Sequence, residues 1–156
     1  MWHVRKMQAP SVKIGSKVMF TMGIYALAVS LFWIFLTESM FMSDFAAYTG
    51  QSWSDFLASS PKPAELYLTT KRLFGIEIFL ISLLIILITH KSYSRAEKWS
   101  WYALLIAGII LWGSLIGYRI VIGYLAPSII TFIIGAVLFV IGITLPAKEI
   151  LGKKYT

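Results

Sequence analysis

Residues 73–89 read LFGIEIFLISLLIILIT and contain one ionisable residue, Glu77. Three further stretches carry no charge at all: Val18–Thr37, Trp99–Tyr118 and Ile120–Ala147. Each stretch reaches or nearly reaches the roughly 20 residues that a helix needs to cross the hydrocarbon core of a membrane. Only helices and closed barrels satisfy every backbone group there, and runs of this length are helical rather than alternating. The sequence therefore predicts an all-α, polytopic membrane protein.

The predicted fold is a four-transmembrane-helix bundle with left-handed packing. A single membrane domain, residues 18–147, lies between a basic tail, 1–17, and a short tail, 148–156. A loop over residues 43–62 follows the first helix. The predicted helices cover about 16–42, 63–90, 98–124 and 127–147. The third helix ends at either Arg119 or Tyr124, and we favour Tyr124 because Pro127 then falls in the first turn of the fourth helix.

The basic residues predict the orientation of the chain. The net charge is +7. Ten of the fourteen basic residues lie before Val18, between Thr89 and Trp99 or after Ala147. An excess of Lys and Arg marks cytoplasmic segments. We therefore expect a multi-pass protein of the plasma membrane with both termini cytoplasmic. The lipid bilayer accounts for the basicity, and no nucleic-acid partner is expected.

Small residues recur at helical spacing in all four stretches. Membrane helices associate where small residues let backbones approach closely, and a seven-residue repeat keeps those residues on one face of a left-handed crossing. The stretch Trp99–Tyr118 also contains a GxxxG pair, Gly113 and Gly117. The residues predicted to mediate helix packing are Gly23, Ser30, Gly75, Ser82, Ala107, Gly113, Ser114, Gly117, Gly135 and Gly142.

Two opposite charges are predicted at similar depth in the membrane. Glu77 lies four residues into the second stretch, and Arg119 lies five residues from the end of the third helix if that helix reaches Tyr124. An unpaired ion at such a depth is costly, so we expect Glu77 and Arg119 to form an ion pair or a ligand site. Glu38 and Arg72 could extend it. The pair is either a structural clasp or a functional site.

The composition limits the chemistry that the chain can perform alone. It has no cysteine and two histidines, His3 and His90. A disulfide framework, a thiolate nucleophile and a bis-histidyl haem or copper site are thereby excluded. We expect no cofactor and no metal, and we identify no catalytic residue.

Two short stretches resemble small four-span prokaryotic membrane proteins of the DoxX-like kind: Lys71-Arg72-Leu73-Phe74-Gly75 and Lys98-Trp99-Ser100-Trp101-Tyr102. The resemblance covers topology more than motif. It implies a long first loop, a basic residue leading the second helix and an arginine near the end of the third. Some such proteins are subunits of membrane oxidoreductases, but the resemblance implies no catalytic residue here.

Three functions are compatible with the sequence. The leading hypothesis is a non-catalytic accessory subunit or oligomerising bundle of a larger membrane complex, with other membrane subunits or further copies of the chain as partners. The first alternative is a small proton-coupled carrier that uses Glu77. The second is a membrane enzyme acting on a lipophilic substrate, which would need an outward cavity around Glu38, Glu77 and Arg119. An enzyme is the least favoured of the three.

Overall fold

The computed structural model describes residues 9–123 and 129–152, and all the regular elements in these ranges are helical. This confirms the predicted all-α class. A short 3₁₀ turn, Tyr93–Arg95, joins the fourth and fifth helices. The α-helices are α1 (Pro10–Phe35), α2 (Thr37–Thr49), α3 (Trp53–Ser59), α4 (Pro61–Lys91), α5 (Lys98–Ile122), α6 (Ile129–Thr144) and α7 (Ala147–Leu151).

Among the described residues, three helices are long and apolar enough to cross a membrane. They are α1 with 26 residues, α5 with 25, and α4, which with the following turn gives a continuous 35-residue segment. Helix α6 is also apolar but has 16 residues in the described part of the chain. The structure thus supports a membrane protein with several spanning helices. The count of four spans and the left-handed packing stay predictions.

The long helices pack side by side in alternating directions. Helix α1 contacts α4 along much of its length and also packs on α6, while α5 packs on α6 and α4. Close approach depends on small residues, as expected for membrane helices. Gly23 of α1 lies against Ile85 and Ile86 of α4, and Gly75 of α4 lies against the backbone of α1 at Ile34.

The first predicted helix is divided into two. Helix α1 begins at Pro10, within the predicted tail, because proline suits the first helical turn. It ends at Phe35, where Leu36 leaves helical geometry and the Thr37 hydroxyl donates a hydrogen bond to the Trp33 carbonyl at 2.7 Å. Such back-bonding by threonine bends helices. The chain therefore turns at Leu36, and α2 occupies residues that the sequence assigned to the first helix and the loop.

Helices α2 and α3 form a cap over one end of the molecule, which we call the α2–α3 end. Gly50 ends α2 in the left-handed conformation, with φ of 72°. Ser52 caps α3 by accepting a hydrogen bond from the Asp55 backbone N–H at 3.1 Å. An aromatic cluster fills the space between the cap and α4 and contains Phe41, Phe45, Trp53, Phe56 and Tyr67.

The third long helix, α5, continues beyond Arg119 to Ile122. Gly123 follows in the left-handed conformation, with φ of 67°, and this ends the helix as glycine commonly does. The helix therefore does not break at Arg119, which was one of the two predicted alternatives. Tyr124 and the predicted start of the fourth helix at Pro127 lie outside the described residues.

Candidate functional site

Three helices bring polar side chains together beneath the cap at the α2–α3 end. Helix α2 buries Thr37, Phe41, Asp44 and Phe45, which recur at helical spacing and so share one face. Asp44 is the polar member in the middle of that apolar face. Helix α5 supplies the residues opposite it.

A buried ion pair joins α2 to α5. Arg119 donates from its Nη1 atom to the Oδ1 atom of Asp44, and each side chain is 1% exposed. The guanidinium of Arg119 also lies over the Phe132 ring of α6, 5.3 Å from its centroid. Since removing one partner of a buried pair leaves an uncompensated charge, Asp44 and Arg119 depend on each other.

A second cation adjoins this pair. The Tyr118 hydroxyl donates to the Oδ2 atom of Asp44, and the Lys71 ammonium donates to the Tyr118 hydroxyl, each at 3.4 Å. The Lys71 ammonium also lies over two aromatic rings, 4.4 Å from the centroid of Tyr118 and 5.3 Å from that of Tyr67. The group thus holds one carboxylate and two cations, so it carries one positive charge in excess when all three are ionised.

A cavity of about 220 Å³ lies beside this group, and we call it the α4–α5 cavity. Most of its wall is apolar. One wall residue, Trp33, is 1% exposed, and its indole nitrogen has no hydrogen-bond partner in the described part of the structure. The side chains that line the cavity are Trp33, Thr70, Lys71, Phe74, Ser114 and Tyr118.

The predicted ion pair has the wrong acid. Arg119 is at the buried site as expected, but the carboxylate that it contacts is Asp44, and Glu77 is exposed on the surface of α4. The physical reason is that α2 folds back over the helix ends, which delivers a carboxylate from a segment that the sequence assigned to a loop. Arg72 is also exposed, and Glu38 accepts a hydrogen bond from the Trp53 indole at 2.8 Å. These two residues therefore do not join the buried pair.

Three residues of the site were missed by the sequence reasoning: Asp44, Lys71 and Tyr118. A signal for Asp44 was present, because residues 37, 41, 44 and 45 follow the spacing of one helical face. Lys71 and Tyr118 had no comparable signal. Their contact depends on how α4 and α5 are aligned, which sequence spacing within one helix does not reveal.

Of the residues predicted to mediate packing, four on α5 are exposed or partly buried, and six on α1, α4 and α6 are buried. Ala107 is partly buried, Ser114 is exposed, and a Cβ atom added at Gly113 or Gly117 would meet no described atom within 4 Å. The α5 glycine that does contact α6 is Gly108, which lies against the Phe139 ring. The predicted residues that are buried are Gly23, Ser30, Gly75, Ser82, Gly135 and Gly142.

The chemistry available at the site is that of binding an anion or a hydrogen-bond acceptor. Lys71 carries the available donor, because the Tyr118 hydroxyl donates to Asp44 and the Trp33 indole nitrogen is itself buried, and Asp44 is already engaged by Arg119. Within residues 9–123 and 129–152, no group of three or more His, Asp or Glu side chains is placed to hold a metal ion. The chain matches no protein-family model, no curated protein and no solved structure.

Proposed function

We propose that this chain is a non-catalytic subunit of a larger membrane assembly, and that it contacts its partner through one face of α4 and α5. The observation that supports this is the position of Glu77. Its side chain is exposed on a helix of spanning length, among the exposed apolar side chains of Leu73, Ile76 and Leu80. An ionised side chain facing lipid costs up to about 3 kcal/mol, and a partner that pairs with it removes that cost.

A second feature lies at the same depth on the neighbouring helix. The contact between Lys71 and Tyr118 aligns the antiparallel helices α4 and α5. Glu77 is six residues from Lys71, and Gly113 is five from Tyr118, so each lies roughly 8–9 Å further along its helix at 1.5 Å per residue. Gly113 and Gly117 are open to the surroundings and would let another helix approach closely. The expected partner is a membrane helix that carries a cation or hydrogen-bond donor at the depth of Glu77.

The proposal includes the orientation of the chain in the plasma membrane. Under this proposal, α6 is the fourth span, both termini are cytoplasmic, and the α2–α3 end lies outside. The distribution of basic residues supports this orientation. Because the chain has no cysteine, single cysteines report cleanly on it. An impermeant thiol reagent added to intact cells should label Gln51→Cys and spare Ser94→Cys, and the reverse pattern would refute the orientation.

The assembly is tested with variants of the exposed face. Gly113→Leu should leave the stability of the isolated chain unchanged, because its added side chain meets open space, yet should abolish the complex recovered in a mild detergent. Ile24→Phe, an exposed position on α1, is the matched control and should leave the complex intact. Copurification of two differently tagged copies distinguishes a second copy of the chain from a different subunit.

Glu77→Gln separates this proposal from the carrier alternative. In a subunit, the variant should weaken the complex, since the partner loses its counter-charge. In a proton-coupled carrier, the same variant should leave the complex intact and abolish transport. A complex that survives both Gly113→Leu and Glu77→Gln unchanged would exclude this face as the contact.

A further inference from the structure

The α4–α5 cavity combines apolar walls with hydrogen-bond donors on one side. Trp33 and Phe74 pack edge to face, with ring centroids 5.8 Å apart, and both line it. Lys71 and Tyr118 form the polar side. A wall of this composition suits a ligand that is apolar over most of its length and polar at one end.

The polar side of the cavity belongs to a group of side chains that has one more cation than carboxylates. Arg119 already neutralises Asp44, whereas the contacts of the Lys71 ammonium in the described structure are a hydroxyl and two aromatic rings. The Trp33 indole nitrogen has no acceptor in the described structure, but it is itself buried, so this residue offers the cavity its apolar ring and not a donor. A ligand with an anionic head would supply the Lys71 ammonium with a counter-charge.

The size of the cavity limits what enters it. Its volume, about 220 Å³, is below the roughly 300–1,000 Å³ of pockets that enclose a drug-sized ligand. It therefore has room for a head group and the first part of a chain. Thr70 and Ser114, at its rim, are exposed, so the remainder of a chain can leave along the outer surface of α4 and α5.

We propose that the α4–α5 cavity binds the carboxylate head of a single-chain amphiphile of the fatty-acid class drawn from the membrane. Lys71 is the counter-ion, and Trp33 and Phe74 contact the start of the alkyl chain. The cavity borders the face of α4 and α5 proposed above as the partner contact, because Ser114 at its rim is next to Gly113. Binding of the ligand does not require the partner, so it is measured on the chain alone.

The test measures binding of radiolabelled palmitate to the full chain in phosphatidylcholine nanodiscs. Lys71→Gln should weaken binding on the order of tenfold or more, since a hydrogen bond to a charged group is lost. Lys91→Gln, an exposed cation at the other end of α4, is the matched control and should bind as the wild type does.

Two further measurements test the proposal, competition by an uncharged analogue and binding by a second variant. Hexadecanol, which has the same chain without the charge, should compete poorly with palmitate for the wild type. Ser114→Leu should reduce binding by filling the rim, and it provides the answer if Lys71→Gln fails to fold. Equal palmitate affinity in the wild type and the site variants would overturn the proposal, as would equal competition by hexadecanol or preferential displacement by phosphatidylglycerol.

Discussion

Helix α5 has two sides that use glycine in opposite ways. Toward α6, Gly108 lies against the Phe139 ring and Gly135 of α6 lies against the Trp112 ring, so each helix offers a glycine to an aromatic side chain of the other. On its other side, a Cβ atom added at Gly113 or Gly117 would meet none of the described residues within 4 Å, and the α4–α5 cavity opens nearby. The first side is a completed contact, and the second is available for one.

The difference shows that residue type alone does not identify a packing surface in a membrane. Lipid chains are as apolar as leucine, so helices associate only where shapes interlock or polar groups pair. A glycine becomes a contact when a bulky side chain on another helix faces it. On the α6 side the chain supplies its own bulky side chains, and on the α4 side it leaves the space open.

The largest expected effect is the contrast between Gly135→Leu and Gly113→Leu. A side chain at Gly135 would occupy the position of the Trp112 ring, and we expect a loss of about 4 kcal/mol or more, in the range reached only by severe core disruption. Gly113→Leu should leave the unfolding of the isolated chain in detergent unchanged. Equal stability of the two variants would remove the distinction between a closed and an open side.

The buried ion pair should give the next largest effect. Asp44→Asn alone and Arg119→Gln alone should each destabilise the chain by about 3 kcal/mol, because each strands a charge that is 1% exposed. The double variant should recover part of that loss, since neither member of the pair is then left charged beside a neutral partner. Unfolding measurements on the four proteins of this cycle give the coupling energy directly. Additive losses would mean that the pair does not hold α2 against α5.

Adjacent residues of α4 give a smaller, matched contrast. Ile85 is 1% exposed and Leu84 is 49% exposed. Ile85→Ala should cost about 1 to 2 kcal/mol, because it opens a cavity against α1, although the transfer part of the cost is small in lipid. Leu84→Ala should be close to neutral in the isolated chain. A large loss at Leu84 would place a contact on the side of α4 that the structure leaves exposed.

The sequence predicted what depends on one helix and missed what depends on two. The apolar stretches predicted the helical class, and spacing within a single helix also singled out small residues such as Gly23, Gly75 and Gly135, each of which lies against a neighbouring helix. Asp44 was missed because Leu36 ends the first helix early and allows α2 to fold back. Lys71 and Tyr118 were missed because their contact depends on the alignment of α4 with α5.

The expected Glu77–Arg119 pair illustrates the same limit. Matching depth and opposite charge are necessary for an ion pair, and both were available from the sequence. Rotation of each helix about its axis also decides which side chains meet. In the structure Arg119 points toward Asp44, and Glu77 lies on the exposed surface.

The smallest expected effect is the coupling between Glu77 and Arg119. Glu77→Gln alone should change the unfolding free energy of the isolated chain by less than about 0.5 kcal/mol, as is usual for exposed positions. Combined with Arg119→Gln, it should add nothing to the loss caused by Arg119→Gln alone, because the carboxylate that Arg119 contacts is Asp44. The same unfolding assay in detergent measures the Glu77–Arg119 cycle and the Asp44–Arg119 cycle. Asp44→Asn in place of Glu77→Gln is therefore the matched positive control. A Glu77–Arg119 coupling as large as the Asp44–Arg119 coupling would return Glu77 to the buried site and remove the main support for a partner on its face. A coupling near zero, together with a weakened complex in Glu77→Gln, would mean that Glu77 acts between chains and Asp44 within one.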